Sequence, residues 1–419
     1  MGGLPAVALI APADSARAAA AVYTVSLLAS VPIIGAAIAA VMVRRAGAAT
    51  RALVWRVTLF ALALLYIGRY LPLRWSAVVV PSVLAQPLVE LGRIQILDAH
   101  VVVPGGAGGN AIATGSARLV RGLMVGYWIV LAILLIPPII ALILRWRELR
   151  RAQSLEARRW AAPLAELCAA LGIRRTVRLY QSASVRVPVT WGVLRPVVVL
   201  PPWAVSWSAD ERRMVLAHEL AHVASFDWLF AMLGRTVCAF YWFHPGAWWI
   251  AARLREDREL ACDDRVLASG SRRSDYAELL LRASSRINTA PHLAAALSLS
   301  GRRGLRARLA AVLDTDREIR TCPGAGRTAC AWGLALAVTM PACLIQLAPS
   351  RDLLTSLVHD ASWEARAYAA QGLADRPDSV AVARTIAEQD PSPRVRAWAR
   401  YALGQASNQD LYRTLQAVR

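Results

Sequence analysis

Five consecutive residues of this chain have the types and spacing of a metal-dependent hydrolytic site: His218-Glu219-Leu220-Ala221-His222. Two histidines four residues apart project from one face of a helix, so both imidazoles can bind the same tetrahedral ion. Glu219 lies next to them and is expected to take a proton from a water bound to that ion. The plain alternative is a pair of ordinary surface histidines. The motif predicts Zn²⁺ as cofactor, with His218 and His222 as ligands and Glu219 as the catalytic base.

The helix that must carry this motif has a recognisable start. Ser208 and Glu211 have the spacing of a capping box, in which the Ser hydroxyl and the Glu carboxylate bind backbone N–H groups of the first turn. We therefore expect a helix that begins at this point and continues into the histidines.

A second helix is needed to supply a third ligand. His244-Pro245 predicts its start and Ser269-Gly270 its end. Glu259 and Asp263 lie one turn apart on one face, so one can bind the metal while the other orients a ligand imidazole. The residues alone leave this choice open, because the same helix carries further carboxylates: Glu256, Asp257 and Asp264.

The combination of motifs resembles a known family. H-E-L-A-H, then Asp227, then Tyr241-Trp242-Phe243-His244-Pro245, then R-E-L-A-C-D-D-R-V-L at 258–267, is similar to the gluzincin membrane peptidases of the BlaR/MecR antibiotic-sensor type. It is more distantly similar to the CAAX-prenyl and heat-shock membrane peptidases. The resemblance covers about residues 145–275. It implies that Glu259 is the third zinc ligand, and it matches Asp263 and Asp227 to family acids that we expect to act behind the ligands.

The residues that would stabilise the developing negative charge on the substrate carbonyl are less clear. His244, Tyr241 and Arg265 are candidates for this transition-state role. Each also has a plain interpretation as packing or helix charge, and we favour that interpretation.

The segment upstream of the first helix is expected to form a strand, a turn and a second strand. Its β-branched residues flank Trp191-Gly192 within 187–201. An exposed edge of such a pair could hold an extended substrate by strand addition.

The composition predicts a membrane protein. Of the 419 residues, 57% are hydrophobic and only 18% are charged, which is too apolar for an ordinary soluble enzyme. The net charge of +20 comes from arginine alone and reflects GC-rich coding as readily as a binding role. We therefore expect no direct contact with nucleic acid. The six cysteines include no C-x-x-C pair, which is typical of reduced thiols.

Four segments are predicted to cross the membrane. Residues 18–43, 122–144 and 328–350 carry no charge over at least the roughly 20 residues that a bilayer requires. A further segment, 52–71, which is second in chain order, contains Arg56 and Arg69. Both side chains are expected to reach the headgroups from near the ends of the segment. Arginine-rich segments stay in the cytoplasm, and residues 145–327 hold 29 arginines against 17 acidic residues. We expect a bacterial inner (plasma) membrane protein with both termini outside.

The C-terminal tail, residues 351–419, contains an internal repeat. Residues 360–369 recur thirty residues later as 390–399, with a helical stretch, 379–388, between them. The pattern resembles short HEAT-like helical repeats. We favour a protein-interaction module over a small helical cap, and expect an extracytoplasmic protein or ligand to bind it.

Together these features predict a multi-span α-helical membrane protein with a cytoplasmic α+β zincin-like metallopeptidase domain and a C-terminal α-helical repeat domain. The predicted domains are three transmembrane helices in 1–144 with an external loop at 73–121, the peptidase domain in 145–327, a fourth span in 328–350, and repeats in 351–419. The Gly-rich stretch 104–109 of the external loop suggests no chemistry.

The predicted function is zinc-dependent endopeptidase activity in signal transduction. The resemblance implies a cytoplasmic protein substrate, either a winged-helix transcriptional repressor or the chain itself. Sensors of this type use a Ser-x-x-Lys motif for acylation by β-lactams, and this chain contains no lysine, so that chemistry is excluded. The alternative is a non-catalytic receptor or scaffold that keeps the peptidase fold and binds a partner through its tail.

Overall fold

A computed structural model of the chain describes residues 12–68, 76–79, 111–155, 158–287, 304–319, 321, 325–348, 351–374, 376 and 379–417. The Gly-rich stretch 104–109 lies outside these residues. The chain divides into two compact units. One comprises Met1–Leu28, Ile67–Ile129 and Pro341–Arg419, and the other comprises Ala29–Tyr66 and Val130–Met340. The second unit contains all the residues for which chemistry is predicted.

Most of the described residues are helical. The helices are α1 (Pro12–Met42), α2 (Ala48–Gly68), α3 (Ala111–Arg151), α4 (Arg158–Ala170), α5 (Ala209–Ala224), α6 (Asp227–Phe240), α7 (Pro245–Ala268), α8 (Arg273–Ile287), α9 (304–313), α10 (Ala325–Leu344), α11 (Arg351–Leu357), α12 (Trp363–Ala374), α13 (Val380–Gln389), α14 (Pro393–Ala402) and α15 (Asn408–Ala417). The strands are β1 (Ser76–Val79), β2 (Gln153–Ser154), β3 (Arg178–Gln181), β4 (Val189–Trp191), β5 (Val197–Leu200) and β6 (Ile345–Ala348).

Two helices of the described chain are long and apolar enough to cross a bilayer: Ala48–Ile67 and Gly122–Arg151. They overlap the predicted spans 52–71 and 122–144, the second and third along the chain. A third would be counted if α5 and α6, which bend by 56° where they meet, formed one broken span. The long helix Gly122–Arg151 buries only 11% of its most apolar window within the protein. Its apolar side chains therefore face outward, which water disfavours and lipid does not.

The other two predicted spans are matched only in part. Within α1, the apolar stretch Ser26–Met42 is shorter than a straight span requires. Helix α10 ends at Leu344, six residues before the predicted end of the fourth span, because the chain continues there as strand β6. This strand pairs in parallel with β1. The four-span topology remains a prediction.

Arg56 corrects one detail of the predicted second span. We expected its side chain to reach toward the headgroups, but its Nη2 donates to Asp227 Oδ1 at 2.6 Å. The Arg56 side chain is only 15% exposed. An ion pair within the protein compensates the charge of Arg56, so its side chain need not extend to the membrane surface. Arg69 lies outside the described residues.

A four-stranded sheet lies in the second unit, in the order β2-β3-β5-β4. Central β5 is fully buried, as its run of β-branched residues predicts, and pairs in parallel with β3. Strands β4 and β5 are antiparallel and are joined by a turn in which Gly192 adopts a φ of +94°. This confirms the predicted strand, turn and strand, and it leaves β4 at the edge of the sheet.

Helix α5 begins as its sequence predicts, with Ser208 and Glu211 forming the reciprocal capping box. It ends where Phe226 adopts a left-handed conformation with φ of 56°, an uncommon value for a bulky residue. Helix α7 packs against α5, and its start after His244 and its end before Ser269 match the prediction. Sheet and helices share a core that includes Trp160, Leu167, Val198, Leu200, Leu216, Leu220, Val266 and Tyr276.

Where the structure describes it, the tail folds as five helices, α11 to α15, around a core of its own. The two copies of the repeat have the same local bonds: Asp360 Oδ1 accepts from Ser362 N, and Asp390 Oδ1 accepts from Ser392 N, each at 2.8 Å. Arg366 links the copies, since its Nε donates to Asp390 Oδ2 at 2.9 Å. The side chains that repeat in the sequence therefore also hold successive repeats together.

Candidate metal centre

Helices α5 and α7 bring three predicted ligands together. His218 Nε2 lies 3.8 Å from Glu259 Oε2, and His222 Nε2 lies 4.0 Å from Glu259 Oε1. All three donor atoms lie within 4.8 Å of one another. Two imidazoles and one carboxylate, with a position left open for water or substrate, are the donor set of many catalytic zinc sites. The residues therefore fit zinc.

Asp227 orients the second imidazole. Its Oδ2 lies 2.7 Å from His222 Nδ1, and the Asp227 side chain is almost completely buried. An ionised carboxylate only accepts hydrogen bonds, so Nδ1 of His222 carries the proton and Nε2 keeps its lone pair. The Cys262 thiol lies behind this pair, with Sγ 3.3 Å from His222 Nδ1. Burial raises the pKa of Cys262 well above its usual value, which keeps the thiol neutral.

Tyr276 and Asp263 orient the first imidazole. The Tyr276 hydroxyl donates to Asp263 Oδ1 at 2.7 Å and lies 3.0 Å from His218 Nδ1. Because its single hydrogen points to Asp263, the hydroxyl accepts from His218 Nδ1. Burial lowers the pKa of His218, but its contacts with Asp263 and Glu259 outweigh this effect and raise it to about 9, so a metal ion that binds Nε2 displaces a proton. Burial raises the pKa of Asp263, but Arg308 and His218 outweigh this effect and bring it to about 2.

Two arginines hold Glu259 from either side. Arg308 Nη1 lies 3.2 Å from Glu259 Oε2, and Arg258 Nη2 donates to Oε1 at 3.1 Å. Burial raises the pKa of Glu259, but the histidines and these guanidiniums together hold it well below its usual value. Glu259 is therefore an ionised carboxylate, which is the form that binds a metal ion.

Glu219 faces the same cavity but is not one of the three grouped donors. Its side chain is 8% exposed, and its Oε2 accepts a hydrogen bond from Thr190 Oγ1 at 2.6 Å. Thr190 belongs to the edge strand β4. One hydrogen bond therefore joins the strand that could hold a substrate to the predicted catalytic base.

The residues converge on a cavity of about 530 Å³. Its polar wall contains His218, Glu219, His222 and Glu259, and strand β4 forms one side. Most of the remaining wall is apolar, with side chains that include Val187, Val215, Trp203, Trp207, Leu279 and Leu280. A cavity with apolar walls and a few convergent polar groups is typical of a site for a peptide or small molecule.

The chain is similar to known protein families over both of its predicted functional parts. The family described as BlaR1 peptidase M56 matches residues 20–312, more than half of the chain. The chain belongs to this M56 family. A second family, HEAT repeats, matches residues 350–419 and confirms the repeats predicted in the tail.

Two relatives of this M56 protein illustrate the extent of the similarity. It is 31% identical over 141 residues to the regulatory protein BlaR1 of Bacillus licheniformis, which covers 33% of this chain and 24% of that protein. It is 28% identical over 114 residues to the methicillin resistance mecR1 protein of Staphylococcus aureus, covering 26% of this chain and 20% of the relative. The chain thus matches a quarter or less of the length of either relative.

Three predicted transition-state residues of this M56 protein do not line the cavity. The Tyr241 hydroxyl donates to the carbonyl of Leu62 at 3.1 Å, and His244 caps α7 by accepting from Gly246 N. Arg265 donates to Ala221 O at 2.8 Å. These contacts correspond to packing and helix-end roles, because each side chain is occupied away from the grouped donors.

The competing carboxylates of α7 also have other partners. Asp257 accepts from Arg51 and from the Trp55 indole at 2.7 and 2.8 Å. Asp264 accepts from Arg317, and exposed Glu256 pairs with Arg253. Neither they nor any other acid of the described chain joins Glu259 in the His218 group. The geometry therefore favours Glu259 among the acids of this helix.

Four residues around the site were missed as contributors: Arg56, Thr190, Tyr276 and Arg308. Each contacts a predicted site residue from a distant part of the chain, for example Arg308 from α9 and Tyr276 from α8. None belongs to a motif with defined spacing. Thr190 had the one usable clue, because it lies on the strand predicted to hold a substrate.

Proposed function

We propose that this M56 protein is a membrane-bound zinc-dependent endopeptidase that cleaves a cytoplasmic protein, or itself, during signal transduction. The observation that carries the proposal is the convergence of His218, His222 and Glu259 beside Glu219 in one cavity. Zinc, when bound, would supply a Lewis acid that polarises a peptide carbonyl and lowers the pKa of water. Zinc would be held by His218, His222 and Glu259.

Residues of the chain bind the substrate, transfer the proton and orient the imidazoles. Strand β4 binds an extended peptide along its free edge, so that the peptide backbone lies beside Thr190. Glu219 accepts a proton from the attacking water and later gives it to the leaving amine. Asp227, with Tyr276 and Asp263, keeps each imidazole in the tautomer that presents Nε2. The apolar walls exclude bulk water from the cavity.

Removing the metal tests this activity. The full chain would be purified into lipid nanodiscs, stripped with a chelator, and supplied with zinc or magnesium. We expect cleavage of an unfolded test protein, or of the chain itself, to disappear with the chelator and to return with zinc alone, because the donor set suits zinc. Mass spectrometry would identify the cut sites. A carefully purified protein that contains no metal and regains no cleavage would contradict the proposal.

Thr190 is expected to act as a positioning residue for Glu219. In a Thr190→Val variant the carboxylate loses its 2.6 Å hydrogen bond. A hydrogen bond to a charged group contributes about 1.5–3 kcal/mol, so we expect kcat to fall by about ten-fold or more while KM changes little. Zinc content should be unchanged, and Thr190→Ser should restore kcat. A loss shared equally by both variants, or a loss of zinc, would indicate a merely structural role.

We further propose that residues 145–327 lie in the cytoplasm and that the HEAT-like tail lies outside, where an external protein or ligand binds it. The arginine excess in 145–327 supports this orientation. A periplasmic reporter enzyme fused after Arg419 should be active, and a cytoplasmic one inactive. The opposite result would overturn the arrangement with sensor outside and peptidase inside.

A further inference from the structure

Two arginines at the cavity have no acidic partner among the described residues. Arg145 and Arg235 line the same cavity as His218 and Glu219. Arg235 is exposed, and the positive charges of Arg255, Arg258 and Arg145 act on it unfavourably. Such crowding of like charges is unfavourable, so the group is ready to accept an anion.

The neighbouring acids are already committed elsewhere. Glu259 and Asp227 lie at 3.1 and 3.8 Å from Arg258. Among the described residues, no carboxylate forms an ion pair with Arg145, Arg235 or Arg255. Of these three arginines, Arg145 and Arg235 line the cavity, so their unpaired positive charge is presented to a substrate.

The edge strand connects this charge to the predicted path of the substrate. The Arg145 guanidinium lies over the Trp191 ring, 5.2 Å from its centroid. Trp191 follows Thr190 on β4, and Thr190 holds Glu219. A strand advances about 3.3 Å per residue, so a peptide added to β4 would pass from the catalytic base to Arg145 within a few residues.

We propose that Arg145 and Arg235 form a subsite for an acidic side chain of the substrate, within a few residues of the bond that is cut. This inference rests on the proposed peptidase function and names its substrate class: an extended, largely apolar segment that carries an aspartate or glutamate. The apolar walls accept the other side chains. The guanidinium groups bind the carboxylate by charge-assisted hydrogen bonds.

Peptide binding tests the subsite without requiring turnover. The full-length Glu219→Gln protein, loaded with zinc in phosphatidylcholine nanodiscs, would be titrated with labelled apolar peptides that carry one glutamate at each position in turn. Glutamine peptides of the same sequence are the reference. We expect the glutamate peptide to bind about ten-fold more tightly at one or two adjacent positions, as one charge-assisted bond predicts.

Matched variants identify the arginines responsible. Adding Arg145→Gln and Arg235→Gln should remove the glutamate preference and leave the affinity for the glutamine peptides unchanged. Arg174→Gln with Arg178→Gln removes the same charge from exposed positions outside the cavity, and should keep the preference. Equal binding of both peptides, or a preference that survives loss of Arg145 and Arg235, would overturn the subsite.

Two further outcomes distinguish the acidic-side-chain subsite from a lipid-binding site and from the proposed peptidase function. In a second set of nanodiscs that contain phosphatidylglycerol, if the two arginines govern binding of this lipid but not of the peptides, they form a lipid site and the proposal is wrong. If the glutamate preference is present but the protein with Glu219 intact cleaves no peptide, the subsite stands and the peptidase function fails.

Discussion

Exchanging Glu219 for glutamine is expected to reduce cleavage by about 10²–10⁴-fold or more, with zinc content unchanged, because a general base contributes on that scale. The amide has the shape of the carboxylate and can still accept the Thr190 hydrogen bond, but it cannot take a proton at neutral pH. Glu219 is not one of the three grouped donors, so its replacement leaves them intact. The measurement is kcat/KM in nanodiscs beside zinc content by mass spectrometry.

The control for this variant is Glu278→Gln. Glu278 lies on α8 with a side chain that is 67% exposed, so the same loss of charge should have no effect there. The test also decides between the two classes of function. If signalling in cells persists at wild-type level after Glu219→Gln, the protein acts as a non-catalytic receptor or scaffold.

Exchanging Glu259 for glutamine is expected to weaken zinc binding by more than about 100-fold, the upper range for losing a group that merely supports a ligand. The reason is electrostatic as well as structural. Arg258 and Arg308 flank this carboxylate at 3.1 and 3.2 Å. Without the negative charge of Glu259, Arg308 would keep only Asp263 as an acidic partner among the described residues, and Arg258 only Asp227. The added positive charge beside the two histidines would weaken cation binding.

Competition with a zinc-binding dye measures this affinity. Glu256→Gln is the matched control, because Glu256 lies nearly one turn earlier on the same helix and its side chain is 56% exposed. Its affinity for zinc should equal that of the wild type. A Glu259→Gln protein that keeps wild-type affinity would exclude Glu259 as a ligand and leave the third position to another group.

The parts of the fold that follow from local rules were predictable from the sequence. The capping box at Ser208, the proline start of α7 and the turn at Gly192 each depend on residues within a few positions of one another. The spacing within H-E-L-A-H likewise fixes two imidazoles on one helix face. Family membership and the tail repeats were predicted for the same reason, since both are patterns along the chain.

Contacts between distant segments could not be predicted in this way. Arg308 reaches Asp263 across 45 residues and Arg56 reaches Asp227 across 171 residues. The chain contains many arginines, so the sequence around any one of them does not identify the acid that it contacts. The long apolar segments also did not define where each helix ends. Helix α10 is followed by strand β6, which pairs with β1, and this pairing depends on a segment far away in the chain.

Helix α2 is tied to the metal centre more closely than its role as a predicted membrane span requires. On one side Arg51 and Trp55 donate hydrogen bonds to Asp257 of α7, which anchors α2 to α7. On the other, Arg56 holds the carboxylate that orients His222, through successive contacts of 2.6 and 2.7 Å. A displacement of α2 would pass from Arg56 through Asp227 to the imidazole of His222, a proposed zinc ligand.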